Sequence, residues 1–308
     1  MSNAICVSCG SDKVEIIRVK KNLSYYRCRI CKHCELVLGT NIRNAFESAQ
    51  KKYFSQSLHS LENINDDQDA DINNKRISIV KKWLPINSDI IEIGPGFGVF
   101  AMNVRSFGYN ISLVEHSKEI SDLLKVKYDF TVYNGEFEKL SVKFNTFDAF
   151  CSFHVLEHVV DPVEHLRLGL NCVHSGGFAF IATPNSQSWQ QRLFPKLSPN
   201  FDSAHLRVYS PLSLKKDCQD AGWEVLEIHY PEYLSGWFRV FTKTIRRVRG
   251  EDEEATAGKY AGSKTKIIIY IIKLIGMLSM PLRLLQSELK GGNEIFIILK
   301  KPVSNDKL

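Results

Sequence analysis

Five cysteines stand within the first 34 residues of the chain: Cys6, Cys9, Cys28, Cys31 and Cys34. Cys6-x-x-Cys9 followed by Gly10 has the shape of a zinc knuckle. The second pair is either Cys28-x-x-Cys31 or Cys31-x-x-Cys34. Two such pairs supply four thiolates to a tetrahedral Zn²⁺, and a closed four-sulfur site folds a module rather than catalysing. A strand feeding into Cys28 favours the first pairing, and Leu36-Val-Leu38 after Cys34 favours the second, so all five cysteines are candidate ligands. His33 is a weaker substitute. Cys151, Cys172 and Cys218 sit in apolar settings and read as core thiols.

A second chemical signal is Ile90-Ile-Glu-Ile-Gly-Pro-Gly-Phe-Gly-Val-Phe100, an apolar strand that runs into Gly94-x-Gly96-x-Gly98 and then a helix. Glycines let the backbone turn sharply and approach a ligand. Dinucleotide folds require Gly-x-Gly-x-x-Gly and a pyrophosphate at the helix N-terminus. Here a carboxylate, Glu92, precedes closely spaced glycines, which suits a ligand with a cationic amino-acid end. Glu115 ends the next strand and can accept both hydroxyl hydrogens of a ribose. Gly135-Glu136 follows the third strand, and Phe147-Asp-Ala-Phe-Cys-Ser152 runs straight into Phe153-His-Val-Leu-Glu-His158. Histidine titrates near neutrality and is the usual general base. His154 and His158 would share one face if 154–158 starts a helical turn, with Glu157 orienting one of them. His205 lies in a loop segment expected to fold over the same mouth.

These groups need elements to hold them. The chain has 308 residues, 44% hydrophobic and 24% charged, which is ordinary globular composition and excludes collagen, low-complexity disorder and a disulfide mini-protein. Residues 14–19 and 23–27 read as two strands, and 43–60 carry helical periodicity. Residues 62–74 are polar and acidic and read as a linker, followed by a helix at 75–84. From residue 88 strands alternate with helices, the pattern of a parallel α/β sheet. The strands expected are 89–93, 110–115, 130–133, 147–152, 177–182, 223–229 and 294–300. Helices are expected at 98–107, 117–127, 161–173 and 210–221.

Residues 75–300 resemble the class I S-adenosylmethionine-dependent methyltransferases. The likeness rests on the glycine loop, on His154 to Pro162, on Gly176-Gly177 with Thr183-Pro184-Asn185, on His205 to Leu214 and on Ala221-Gly222-Trp223. It implies a seven-stranded, mostly parallel Rossmann-like sheet with an antiparallel last strand. It also implies S-adenosylmethionine as cofactor: Glu92, Gly94, Gly96 and Gly98 around the methionine portion, Glu115 on the ribose, Glu136 and Phe137 beside the adenine, and Phe153 and His154 on the pocket floor. Pro95 departs from the small or polar residue often found there. Zinc ribbons precede the methyltransferase domain in enzymes that methylate sugars, glycans and natural-product intermediates, and in some ribosomal-RNA methyltransferases.

The organisation expected is a zinc-ribbon module at 1–42, a helix and polar linker at 43–74, and a methyltransferase domain at 75–308 with an insertion or cap at 239–290. The function expected is O-methylation of a sugar, glycan or other small molecule. Methylation of ribosomal RNA is the alternative. Residues 1–58 hold ten Lys/Arg against four Asp/Glu and so carry the whole net charge of +6. An RNA clamp would use that basic ribbon with Tyr25 and Tyr26 exposed. Trp189 and Trp237 are candidate walls of the acceptor pocket. Residues 267–282 are almost wholly apolar but hold Lys273 and Pro281, and read as a buried or capping helix, with contact to a membrane surface as the competing reading. The first thirty residues contain no long apolar run, so a cytoplasmic setting is expected.

Overall fold

The structure is a computed structural model and describes residues 4–20, 23–37, 66–140, 146–198, 200–201, 204–248 and 274–303. The helix expected at 43–60 lies outside the described residues. Strands β1 (Val14–Lys20), β2 (Leu23–Cys28) and β3 (Cys34–Leu36) open the chain. Helix α1 (Asp66–Trp83) leads to β4 (Asp89–Ile93), α2 (Val99–Ser106), β5 (Asn110–Glu115), α3 (Lys118–Tyr128) and β6 (Thr131–Asn134). Then come β7 (Phe147–Phe153), α4 (Pro162–Cys172), β8 (Val173–Pro184), α5 (Trp189–Leu193) and β9 (Arg207–Val208). The chain continues through α6 (Pro211–Asp220), β10 (Glu224–His229), α7 (Leu234–Val248), α8 (Met280–Glu288) and β11 (Glu294–Lys300). Two compact units result. A sheet unit comprises 69–183, 211–228 and 296–308, and a ribbon unit comprises 1–68, 184–210 and 229–295.

The sheet unit is the expected α/β fold. Its seven strands lie in the order β10-β11-β8-β7-β4-β5-β6. Strands β6, β5, β4, β7 and β8 pair in parallel. Lys301 exchanges backbone bonds with Gly176 and Gly177, while Asn185 donates to Asn293 near the other end. The residue sums stay constant along the pair, so β11 runs antiparallel to β8. Central strand β4 is buried from Ile90 to Ile93, as a strand covered on both faces must be. From β4 the chain winds outward through β5 and β6, then crosses back to β7 on the other side. That reversal is where an open α/β sheet forms a crevice at its strand C-termini. Ser117 and Asp161 cap α3 and α4 by accepting from the amides of Ile120 and Glu164.

Two expectations in this unit need correction. The acidic stretch was expected to be a linker up to residue 74, but α1 begins at Asp66. The sequence opens the helix with Asp66, Asp67 and Asp69, residue types favoured in a first turn, and Ile77 and Val80 bury its inner face. Strand β8 also starts before residue 177, because Gly176 and Gly177 do not turn the chain but pair with Lys301.

The ribbon unit contains a four-stranded sheet in the order β1-β2-β3-β9. Its neighbouring strands pair antiparallel. The residues expected to stand alone at 1–42 thus share a sheet with Arg207–Val208. Val19, Leu23, Tyr25, Cys34, Leu36, Phe201, Leu206 and Val208 form its core. Helix α7 starts at Leu234, ahead of the expected boundary at 239, and residues 249–273 lie outside the described residues. The apolar stretch is described from 274, and its expected burial is not found: Met277, Leu278, Leu282, Leu284 and Leu285 are exposed. The inner side of α8 is instead taken by a polar contact through Gln286.

Helix α4 crosses the sheet with no room for a side chain at Gly169, where an added Cβ would lie 2.8 Å from the Phe150 ring. Gly169→Val should therefore lower stability by about 1–3 kcal/mol through overpacking. Val126→Ala, on an exposed site, should change it by no more than about 0.5 kcal/mol. Thermal denaturation of the two variants side by side checks the contrast.

Candidate active site and metal centre

The loop after β4 holds Gly94, Gly96 and Gly98 at φ of +64°, +55° and +75°, all in the left-handed region that a Cβ disfavours. The three have different surroundings. An added Cβ would lie 2.7 Å from Val155 at Gly94 and 2.6 Å from Leu124 at Gly98. At Gly96 nothing stands within 4 Å. Gly94 and Gly98 therefore let elements pack, and Gly96 borders open space that a ligand can fill.

Two buried carboxylates end the adjoining strands. Burial pushes the Glu92 carboxyl up to about 8, the nearby Glu115 adds to this, and the Arg76 guanidinium opposes it. Glu92 Oε2 has no hydrogen-bond partner among the described residues. A buried, unpartnered carboxylate beside open space fits a cationic ligand group. Glu115 Oε1 accepts from the Ser117 amide at 2.8 Å and lies 3.3 Å from His116 Nδ1, a bond that raises the His116 pKa. Glu136 is exposed and ion-paired with Lys139. Phe137 is buried against Phe150 and His165, with ring centroids at 5.7 and 5.3 Å. Phe153 packs on Phe100 and carries the Arg76 guanidinium 4.4 Å from its ring centroid.

After β7, the segment expected as a helical turn is a tighter one. His154 sits at φ +56°, and its amide donates to Ala182. His158 closes the turn by donating to Val155, so the two histidines are not stacked on a helix face. Glu157 is fully buried. Its Oε1 lies 3.3 Å from His154 Nδ1, and its Oε2 accepts from Thr183 Oγ1 at 3.0 Å. A ring nitrogen of His158 is within 4.8 Å of the same carboxylate. The structure therefore brings His154, Glu157 and His158 together. Their third supporter, Thr183, stood in a sequence motif without a role assigned to it. His205 belongs to the ribbon unit, where its Nδ1 donates to Asn200 O and its own carbonyl accepts from Tyr25.

One buried network escaped the sequence altogether. His165 lies between Glu138 Oε1, at 2.7 Å from Nδ1, and Ser152 Oγ, at 3.3 Å from Nε2. Burial alone would raise the Glu138 carboxyl, but the His165 bond outweighs it and holds the pKa down. The network ties the segment after β6 to the end of β7. A histidine inside an amphipathic helix carried no sequence signal for it.

The cysteine pairing is resolved by geometry. The Sγ atoms of Cys6, Cys9, Cys28 and Cys31 all lie within 4.8 Å of one another, with Cys6–Cys31 and Cys9–Cys28 at 3.5 Å. Four sulfurs at Zn–S bond length stand about 3.8 Å apart, so the set fits a tetrahedral zinc. Burial raises the Cys28 thiol, but amide bonds from Cys31 and Ile30 outweigh that and bring it to about 7. Cys34 points elsewhere. It is buried in the apolar core of the ribbon sheet, and burial pushes its thiol up to about 12. His33 is committed to Glu35 at 3.0 Å.

Comparison with known proteins agrees with this geometry. Residues 70–228 match the family model described as a methyltransferase domain. The chain belongs to that family. A curated relative, a ubiquinone biosynthesis O-methyltransferase of Xanthomonas axonopodis pv. citri (strain 306), is 24% identical over 122 residues. That match covers 37% of this chain, and the chain spans about half, 51%, of the relative's length. Among solved structures, a SAM-dependent methyltransferase from Thermotoga maritima shares 17% identity at a TM-score of 0.48, over 85% of this chain and 98% of its own. Phosphoethanolamine N-methyltransferase 2 of Haemonchus contortus, in complex with S-adenosyl-L-methionine, shares 16% identity at 0.45, over 74% and 52%. The family match thus runs from within α1 to within β10 and includes the glycine loop and the His154–Glu157 turn.

Two predictions follow from the site. Metal analysis of purified protein should give one zinc per chain, lost in Cys28→Ser and kept in Cys34→Ser; equal zinc in both variants would contradict the geometry. At pH 7 Glu92 is largely protonated, given a pKa near 8, and a bound cationic group would draw the proton off. Calorimetry of S-adenosylmethionine binding in two buffers of different ionisation heat should then show proton release, with affinity rising as pH increases toward 8.5. Glu92→Gln should remove that component.

Proposed function

We propose that this methyltransferase moves the methyl group of S-adenosylmethionine to a hydroxyl oxygen of a small-molecule, sugar or glycan acceptor, with His154 as general base. The observation that carries the reading is Glu157, buried and divided between His154 and Thr183 at the switch point of the sheet. Glu157 opposite Nδ1 fixes the proton on that nitrogen, which leaves Nε2 as the basic one. His154 Nε2 takes the acceptor's hydroxyl proton as the new carbon–oxygen bond forms. Glu157 then stabilises the imidazolium. The cofactor, when bound, supplies a methyl group on a cationic sulfonium. Glu92 would hold its amino end, Gly96 leaves space for its chain, and Glu115 would take the ribose hydroxyls.

The choice of oxygen draws support from the name of the curated relative, an O-methyltransferase. The choice of a small acceptor over RNA draws support from the ribbon. Tyr25 is fully buried and bonds to a backbone carbonyl, so it offers no stacking face, and Arg29 is paired with Glu15. The zinc proposed at Cys6, Cys9, Cys28 and Cys31 holds the ribbon and takes no part in the transfer. Among the described residues no helix is long and apolar enough to cross a membrane.

His154→Ala should lower kcat by about 10²–10⁴-fold while S-adenosylmethionine binds as before. Glu157→Gln should lower kcat less and move the acidic limb of the pH–rate profile to lower pH, because a neutral amide no longer stabilises the imidazolium of His154. Labelled methyl transfer to a panel of hydroxylated small molecules and glycans, run beside ribosomal RNA, separates the acceptors. Transfer to RNA alone would overturn the proposal.

A further inference from the structure

Helix α8 is turned inside out. Its one fully buried side chain is Gln286 at 0% exposure, while Met280, Leu282, Leu284 and Leu285 face outward. Gln286 Nε2 donates to Glu232 Oε2 at 2.9 Å, and Gln286 Oε1 accepts from Trp237 Nε1 at 2.9 Å. A helix resting on a water-facing protein does the reverse, with leucines in and glutamine out. The outward apolar surface continues through the helical residues 274–278, where Met277 is 64% and Leu278 70% exposed. Phe238 and Phe241 on α7, and Leu193 and Phe194 at the end of α5, are exposed as well. Trp237 on α7 touches Phe194, so these elements adjoin within the ribbon unit. A run of exposed large apolar residues of this extent marks an interaction surface.

Charge decides the partner. Stretches 189–196, 234–245 and 274–290 hold Arg192, Lys196, Arg239, Lys243, Arg283 and Lys290 against one acid, Glu288. A second copy of this chain seated on the same face would set these cations against their like. A neutral apolar partner offers no counter-charge to a cationic face. An anionic lipid surface answers both features, since acyl chains take up the leucines and phenylalanines and headgroups take up the Lys and Arg. We infer that the outer face of α7, α8 and 274–278 docks on an anionic membrane, in the plane of the headgroups. The helices lie on the membrane and do not span it. The inference is independent of which acceptor is methylated.

Full-length protein and sedimented vesicles of phosphatidylcholine with about 30% phosphatidylglycerol provide the test. Wild type should co-sediment at low salt, several-fold less at high salt, and several-fold less with pure phosphatidylcholine. Leu282→Glu/Leu285→Glu should cut the partition at least about tenfold. Arg192→Gln/Arg239→Gln should cut it several-fold and flatten the salt dependence. Unchanged S-adenosylmethionine affinity and an unchanged melting profile would show that both variants fold. Wild type left in the supernatant overturns the inference, and so does a leucine variant that binds vesicles as well as wild type. Analytical ultracentrifugation adds a third overturning result, a wild-type dimer that the leucine variant converts to monomer.

Discussion

The sheet unit turns on one close approach, the glycine loop after β4 against the turn after β7. Gly94 and Val155 meet where any Cβ on residue 94 would collide with the valine. The approach is dictated by topology, because the chain leaves β4 in one direction and returns on β7 in the other, so the two C-terminal loops must face each other. Everything chemical in the unit hangs from that meeting. It sets Glu92 near the end of β4 beside Cys151 of β7, and it brings the turn that carries His154 against the glycine loop at Val155.

The buried carboxylates of the site differ in the partners the protein gives them. Glu92 is desolvated and has only Arg76 to oppose the cost, so it holds its proton up to about pH 8. Glu115 is equally buried but receives a backbone amide, and Glu157 receives a hydroxyl and faces a histidine. One acid waits for a cation from outside, while the other two are already answered by the protein. His154 completes the contrast. A non-glycine residue at φ +56° costs roughly 1–3 kcal/mol, and the bond from its amide to Ala182 helps to hold it there. In that conformation its ring lies 3.3 Å from the glutamate three residues on.

Where a local rule was sufficient, the sequence was enough. Parallel core strands such as Asp89–Ile93 are continuous apolar runs, and caps at Ser117 and Asp161 mark helix starts, so the α/β sheet and the glycine loop were legible. The four-cysteine spacing was legible too, but not the choice between Cys28 and Cys34. That choice depends on which thiol receives the amides of Ile30 and Cys31 and which sinks beside Tyr25 and Phe201, a difference of tertiary surroundings. Helix α1 was expected only from residue 75, because its opening residues 66–74 are polar and show no apolar periodicity. The His154–Glu157 pair was expected on helical spacing, and the tighter turn joined them differently. The His165 network has no sequence signature, because Glu138, Ser152 and His165 come from three separate elements.

At α8 the usual division of labour between core and surface is inverted, and one residue accounts for it. Glu232 is buried at the head of α7, and a buried carboxylate must be answered by donors. Gln190 of α5, Gln286 of α8 and the Asn293 amide supply them at 2.7 to 2.9 Å. Gly236 supplies the room, since a Cβ there would stand 2.6 Å from the Glu232 oxygen. Once α8 turns its glutamine inward to reach Glu232, Leu284 and Leu285 fall about 160° and about 100° around the helix from it and face outward, while Leu282, one turn before Gln286, is exposed as well. A fully satisfied polar cluster is also exacting. Loss of any one donor would strand a buried charge, so the orientation of α8 is fixed more firmly than apolar packing alone would fix it. The outward Leu284 and Leu285 are therefore a consequence of the polar contact through Gln286, and a property of the fold rather than of a loosely placed surface helix.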